Sequence, residues 1–350
     1  MKQNTIILSE NDTFAVYRLP YSNDVTLIKQ VKKDLSEFKN FLFRNKGFAF
    51  FPFDKNLNPP IFITADEIYK NANFRFKIKK SLVSSDISKK EYIEKVAFFI
   101  DRIKSEYRKI VLSRTKTINN INIDIHLLFS ELESNYKNAF VFLVNHPLSG
   151  TWIGATPETL LSKTDENCST IALAGTQFVT NFSNVKWLHK EIEEQKAVMD
   201  YIENIFKKNN ISFKSTEPYT KVAAKINDKN LVHLATEYTF KAPCDINNFI
   251  KSLHPTPAVS GFPKQKSMDF INRYEGYNRE YYTGFLGPVN IESPDSMSLF
   301  VNLRSMKAYK NKFQLFLGGG LNSESIPEKE WEETENKAKT LEKVIESIQK

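Results

Sequence analysis

In "SIPEKEWEETENK" (325–337), Glu330, Glu333 and Lys337 are spaced three and four residues apart and share one face of a helix. Ser325 and Glu328 have capping-box spacing and Pro327 suits a first turn, so a helix is predicted to start here. Such a face is either a solvated salt-bridge ladder or one that holds something. In "RKIVLSR", strand alternation puts Lys109 on one face with Val111 and Ser113, with Ile110 and Leu112 on the other. A lysine there ordinarily snorkels to the surface. In a mostly buried site, desolvation or a nearby cation would instead make a neutral amine available to take a proton.

Other candidates have ordinary readings when taken singly. Glu158 follows the "GATP" turn as a helix-first-turn carboxylate would, and Gly175 in "LAGTQ" turns the chain. In "HKEIEEQKAVMDYIENIF", Ile192, Val198, Ile202 and Ile205 make the apolar stripe, which leaves Glu191 and Glu194 on a solvated face. His233 stands between apolar neighbours as a satisfied core histidine does. "LHPTPAVSGFP" (253–263) is harder to dismiss. Three prolines impose an unusual backbone path, and the small residues Ala258, Ser260 and Gly261 leave room for something to approach. "LGGGLNSES" has neither a phosphate-loop lysine nor a GxGxxG context.

These residues need elements to position them. Helical periodicity runs through "KKEYIEKVAFFIDRIKSE", with Tyr92, Val96, Ile100 and Ile103 on one side, and through 124–135, 188–208, 266–279 and 326–349. Strands are predicted in "RKIVLSRTKTI", "NAFVFLVNH", "TWIGAT", "STIALAGTQ", "SMSLFVNLRSMKAY" and "KFQLFLGGG". The first 80 or so residues mix short β-like runs ("TFAVYRL", "GFAFFPF", "PIFITA") with polar helical stretches. "FRFKIKKSLVSSDISKK" (74–90) reads as an exposed linker. Strands come in adjacent groups as well as beside helices, so the fold class is α+β, with large, mostly antiparallel sheets covered by helices.

The 350 residues suffice for two domains or one large core; 41% are hydrophobic and 26% charged, a globular composition. Lysine and arginine number 49 against 41 acidic residues, a net charge of +8, but the basic residues are scattered. That argues against a nucleic-acid-binding face and suits an anionic small molecule. Two cysteines without metal spacing point to a reducing compartment, the amino terminus lacks signal-peptide order, and no apolar run could span a bilayer. A cytoplasmic location is expected.

Taken in order, "KIVLSR", "GATPE", "LAGT", "EEQKAV", "HL.T", "HPTPAVSGFP", "REYYTGFLGPV", "LFVNLRS", "GGG" and "PEKEWEETENKAK" resemble the chorismate-utilising enzymes. Within that family the pattern is most similar to the isochorismate synthases. The resemblance covers roughly residues 92–350. It implies a single large domain of two facing antiparallel sheets, with residues 91–350 as the chorismate-binding catalytic core and 1–90 as a variable amino-terminal part. It implies chorismate as substrate, Mg²⁺ as cofactor and, from many relatives, a monomer. By resemblance, Lys109 is the general base that activates water and Glu158 the general acid at the leaving hydroxyl. Glu194 and Glu333 are the metal ligands, with Glu330 supporting through water. Arg304 and Tyr282 hold the enolpyruvyl carboxylate, and Gly318 offers it a backbone N–H. Lys337 lies near the metal-bound ring carboxylate, and Gly175 and Thr176 line the ring.

The residues also bear on which relative is meant. Aminodeoxychorismate synthases commonly carry a lysine nucleophile where this chain has Ala174. Ala258 in "PTPA", where anthranilate synthases have threonine, favours water as nucleophile and opposes pyruvate elimination. The expected reaction is water addition at C2 of chorismate with loss of the C4 hydroxyl. Salicylate synthase, which goes on to eliminate pyruvate, is the nearest alternative, ahead of anthranilate and aminodeoxychorismate synthases.

Overall fold

The computed structural model describes residues 5–31, 45–81, 86–119, 122–181, 185–226 and 229–349. Its strands, in chain order, are β1 (Ile6–Leu8), β2 (Thr13–Arg18), β3 (Val25–Gln30), β4 (Gly47–Phe51), β5 (Ile61–Thr64), β6 (Glu67–Lys70) and β7 (Phe74–Phe76). Next come β8 (Lys109–Asn119), β9 (Phe140–His146), β10 (Gly150–Thr156), β11 (Thr159–Thr164), β12 (Asn167–Val179), β13 (Phe213–Ser215), β14 (Tyr219–Ile226) and β15 (Lys229–Lys241). The last are β16 (Gly261–Phe262), β17 (Phe285–Val289), β18 (Ser296–Val301), β19 (Ser305–Tyr309) and β20 (Lys312–Leu321). The helices are α1 (Lys89–Glu106), α2 (Ile125–Asn135), α3 (His189–Lys208), α4 (Ile246–Leu253), α5 (Lys264–Tyr274) and α6 (Pro327–Gln349).

The sequence of β9 dictates the layering. Phe140, Phe142 and Val144 point to one side and Val141 and Leu143 to the other, and all are buried. A strand apolar on both faces must be covered twice. Val141 and Leu143 pack with Leu128 and Leu132 of α2 and Leu341 and Val344 of α6. Phe140 and Phe142 pack with Phe48, Phe50, Leu286 and Phe300 of the facing sheet. That second sheet buries its outer face under α3 and α4, through Val198, Ile202, Phe249 and Leu253.

The chain is thus an α+β domain of two facing antiparallel sheets with helices outside. The first sheet has the order β16-β8-β20-β19-β10-β9-β2-β3-β6, and the second β13-β15-β12-β11-β18-β17-β4-β5 with β14 also on β15. Strands from the first 80 residues belong to both sheets. β1 and β7 form a separate parallel pair.

Several sequence expectations are corrected. "SMSLFVNLRSMKAY" is two strands in different sheets, β18 and β19, because Asn302–Arg304 carry the chain across with Arg304 at φ +49. The 266–279 helix stops at Tyr274, before Gly276 at φ +91. Residues 74–76 are no linker: Phe74 and Phe76 are buried against α2. Ser325 caps a turn by accepting the Asn322 N–H, so α6 begins at Pro327 without the expected capping box. On α3, Ile192 is exposed, while Ala197, Tyr201 and Phe206 join Val198, Ile202 and Ile205 in the buried stripe. No helix precedes α1 among the described residues; residues 32–44 lie outside them.

Candidate active site

β8 lies inside the first sheet between β16 and β20, so Lys109 is no edge lysine. Ile110 and Leu112 fill the cluster under α1, and the alternation leaves Lys109 and Val111 facing a cleft of about 130 Å³. Lys109 is 4% exposed, and its Nζ pairs with Glu194 Oε1 of α3 at 2.8 Å. The glycine run of β20 makes that approach possible. A Cβ on Gly320 would collide with Glu194 Oε1 and lie 2.6 Å from Lys109 Cε. Glu194 therefore lies against a strand rather than on the solvated face expected for it.

Glu158 is buried in the short connection between β10 and β11, with no helix after it to supply a dipole. Burial pushes its carboxyl up to about 7, against the opposing pull of the Lys109 charge. It borders the same cleft as Lys109. Near neutrality a good part of its population holds a proton.

From the second sheet, β12 runs straight through "LAGTQ". Gly175, at φ +68, sits where the β12–β15 register slips between Ala174 and Gln177, so it makes a bulge and not a turn. Gly175 and Thr176 consequently face the cleft. His233 of β15 holds this bulge: its Nδ1 lies 2.7 Å from the Gly175 carbonyl, which can only accept, and 3.2 Å from Thr176 Oγ1. Burial, reinforced by the charge of Arg304, holds the imidazole down at about 4, hence neutral with Nδ1 as donor. Sequence reasoning passed over His233, and also Glu191, which lines the cleft; His233 was signalled only by its place in the motif "HL.T", and Glu191, just before "EEQKAV", by nothing.

Arg304 and Lys337 bring positive charge to the same cleft. Arg304, turned inward at the β18–β19 crossing, has an Nη1 that is buried without a hydrogen-bond partner among the described residues. A buried guanidinium N–H without an acceptor is costly, and a carboxylate entering the cleft would relieve that cost. Tyr282 packs on Phe316, 5.4 Å between ring centres, and burial pushes its hydroxyl up to about 12, so it is a donor. Lys337 donates to the Gly318 carbonyl at 2.8 Å and to Glu333 Oε1 at 2.6 Å. Ala258, Gly318, Glu333 and Lys337 all border the cleft. Glu330, the remaining expected residue, is buried on α6 and does not.

The fit of a cation can be judged from the donors. Among the described residues, no three His, Cys, Asp or Glu side chains are close enough together to hold a metal by themselves. Glu194 abuts Gly320, whereas a Cβ at Gly319 would lie 3.2 Å from Glu330 Oε2 and 3.6 Å from Glu333 Oε1. Carboxylate oxygens are the donors a hard cation takes, and such a cation keeps water where the protein supplies few of them. Both Glu194 and Glu333 now face an ammonium group, as carboxylates placed for a cation would.

A model of the chorismate binding enzyme family matches residues 64–346. Isochorismate synthase EntC of Escherichia coli (strain K12) is 31% identical over 245 residues, 67% of this chain and 61% of that protein. Isochorismate synthase MenF of Haemophilus influenzae is 30% identical over 249 residues, 67% of this chain and 56% of that protein. The chain thus spans about three fifths of the length of these curated relatives. In fold, it is similar to the menaquinone-specific isochorismate synthase MenF of Escherichia coli, with a TM-score of 0.78 at 17% identity, covering 96% of this chain and 89% of the other.

Proposed function

The chain belongs to the chorismate-binding enzyme family, and on that premise we propose that it is an isochorismate synthase, converting chorismate to isochorismate with Mg²⁺ as cofactor. The observation that carries this reading is a buried lysine and a buried glutamic acid, whose carboxyl burial raises, on one cleft that Arg304 and Lys337 also line.

Lys109 takes a proton from water as that water's oxygen bonds to C2. The ring double bonds shift, the C4–O bond breaks, and Glu158 gives its proton to the departing hydroxyl, so one water enters and one leaves. Burial prepares Glu158 for this by keeping it protonated to about pH 7. As the base, Lys109 acts through its neutral amine, so the ammonium that faces Glu194 first gives up its proton to bulk water. Arg304 and Tyr282 hold the enolpyruvyl carboxylate, and Gly175 and Thr176, braced by His233, line the ring. Glu194 and Glu333 would hold the Mg²⁺, which when bound offsets charge at the ring carboxylate and orients it. Ala258 borders the cleft where anthranilate synthases tend to have a threonine, which leans towards a reaction that stops at isochorismate.

Purified protein incubated with chorismate and Mg²⁺ tests this. Isochorismate without pyruvate is expected; salicylate with stoichiometric pyruvate overturns it.

A further inference from the structure

Just past the end of α5, Glu275 and Arg279 form an ion pair whose side chains are 1% and 2% exposed. Had the helix run on to 279 as the periodicity predicts, the two would be an ordinary i,i+4 surface pair. The break at Gly276 turns them into the interior. Glu275 accepts from Arg279 Nε at 2.6 Å and Nη2 at 2.7 Å, and from the Ser113 N–H at 2.6 Å and hydroxyl at 2.7 Å. Arg279 also donates through Nη2 to the Val111 carbonyl and through Nη1 to the Val259 carbonyl, both at 2.8 Å. Its guanidinium carbon lies 4.5 Å from the centre of the Phe53 ring.

The segments joined here are the ones that frame the cleft. Val111 and Ser113 continue the strand that carries Lys109. Val259 adjoins Ala258, and the Arg279 carbonyl accepts the Tyr282 N–H at 2.9 Å. Stability alone is a poor reason for this arrangement, because a buried ion pair is often replaceable by apolar residues of like volume without loss. Apolar residues could not bridge two carbonyls and a strand N–H from two segments at once. The arginine fork on the two carbonyls and the glutamate carboxylate on the N–H can, as one pair.

We propose that Glu275 and Arg279 are positioning residues. Their pair sets the separation between β8 and the Ala258–Tyr282 side of the cleft, and so where the Lys109 amine stands relative to the bound ring. The role in catalysis rests on the reading of Lys109 as the base.

The full chain is tested as Arg279→Lys, which keeps the charge and loses the fork, and as the double variant Glu275→Leu/Arg279→Met. Turnover is measured per folded molecule, taken from the unfolding amplitude. Expected is a kcat loss of roughly a hundredfold, the scale of an ångström misplacement, with KM for chorismate near the wild-type value. The thermal midpoint of Arg279→Lys should stay within about 5 °C of wild type. Wild-type kcat in either folded variant overturns the proposal, and Arg279→Lys decides alone if the double variant does not fold. Hydrogen exchange on unliganded Arg279→Lys reads the pair independently of chemistry. Amides of 109–113 and 258–262 should exchange faster while those of β9 and β10 do not, and unchanged exchange at 109–113 and 258–262 overturns the proposal. Faster exchange there alongside a wild-type protein that makes no isochorismate would sink the assigned reaction and leave the positioning pair standing.

Discussion

Lys109 Nζ lies 2.8 Å from Glu194 Oε1, so the amine assigned to take a proton and a carboxylate assigned to a cation serve as each other's counter-ion. The lysine comes from the first sheet and the glutamate from the helix over the second. Their contact closes the cleft between the two halves of the sandwich. A cation held by Glu194 would deprive Lys109 of this counter-ion, which favours the neutral amine that can act as a base once its proton has gone to solvent.

Replacing Lys109 by Ala, or Glu158 by Gln, is expected to cut turnover by about 10²–10⁴, the usual contribution of a positioned acid or base. Near-ultraviolet circular dichroism should stay native, since the packing clusters around the cleft are built from other side chains. Undiminished turnover in either variant would remove that residue from the mechanism.

Glu158 also leaves a mark on stability. The folded state holds its proton to about pH 7, whereas the unfolded chain releases it near the usual 4.5. Between those values the folded state binds more protons, so wild-type stability falls as pH rises through the window. The deficit above pH 7 is on the order of 3 kcal/mol. Glu158→Gln does not titrate, and its urea midpoint should exceed the wild-type midpoint at pH 8 and converge with it at pH 4. Parallel curves at both pH values would contradict the burial of Glu158.

Chelation by EDTA should stop turnover, and added Mg²⁺ restore it. Calorimetric titration of Mg²⁺ in the absence of turnover should give weaker binding for Glu333→Ala than for wild type. Glu333 is about a third exposed and its pair with Lys337 is a partly solvated i,i+4 contact, so the thermal midpoint should barely move. Wild-type affinity in Glu333→Ala would rule the residue out as a ligand.

Gly320→Ala probes the glycine strand. Its Cβ meets only the far ends of Glu194 and Lys109, which can swing aside, so folding should survive. Both groups would be displaced from the cleft, and kcat should fall by roughly a hundredfold, with weaker Mg²⁺ binding. Native kinetics would show that Lys109 and Glu194 need not meet at this strand.

Where the sequence is periodic, it is legible. The two-residue alternation of "KIVLS" assigns Lys109 to the face opposite Ile110 and Leu112, the helical stripe of α1 holds in the fold, and the helix expected over 326–349 is α6. It misleads where one apolar rhythm continues across a change of sheet. "SMSLFVNLRSMKAY" keeps strand character throughout, and only the positive φ of Arg304 parts β18 from β19.

What the chain determines by itself is therefore the alternation, the helical faces and the order of motifs by which the family is recognised, all local properties of neighbouring residues. The tertiary structure alone decides that Glu158 is buried and holds its proton towards neutrality, that Lys109 meets Glu194, and that Ser113 reaches Glu275, 162 residues away. The reason is physical. A charge's surroundings are set by whatever packs against it, and here those groups arrive from elements far away in the chain.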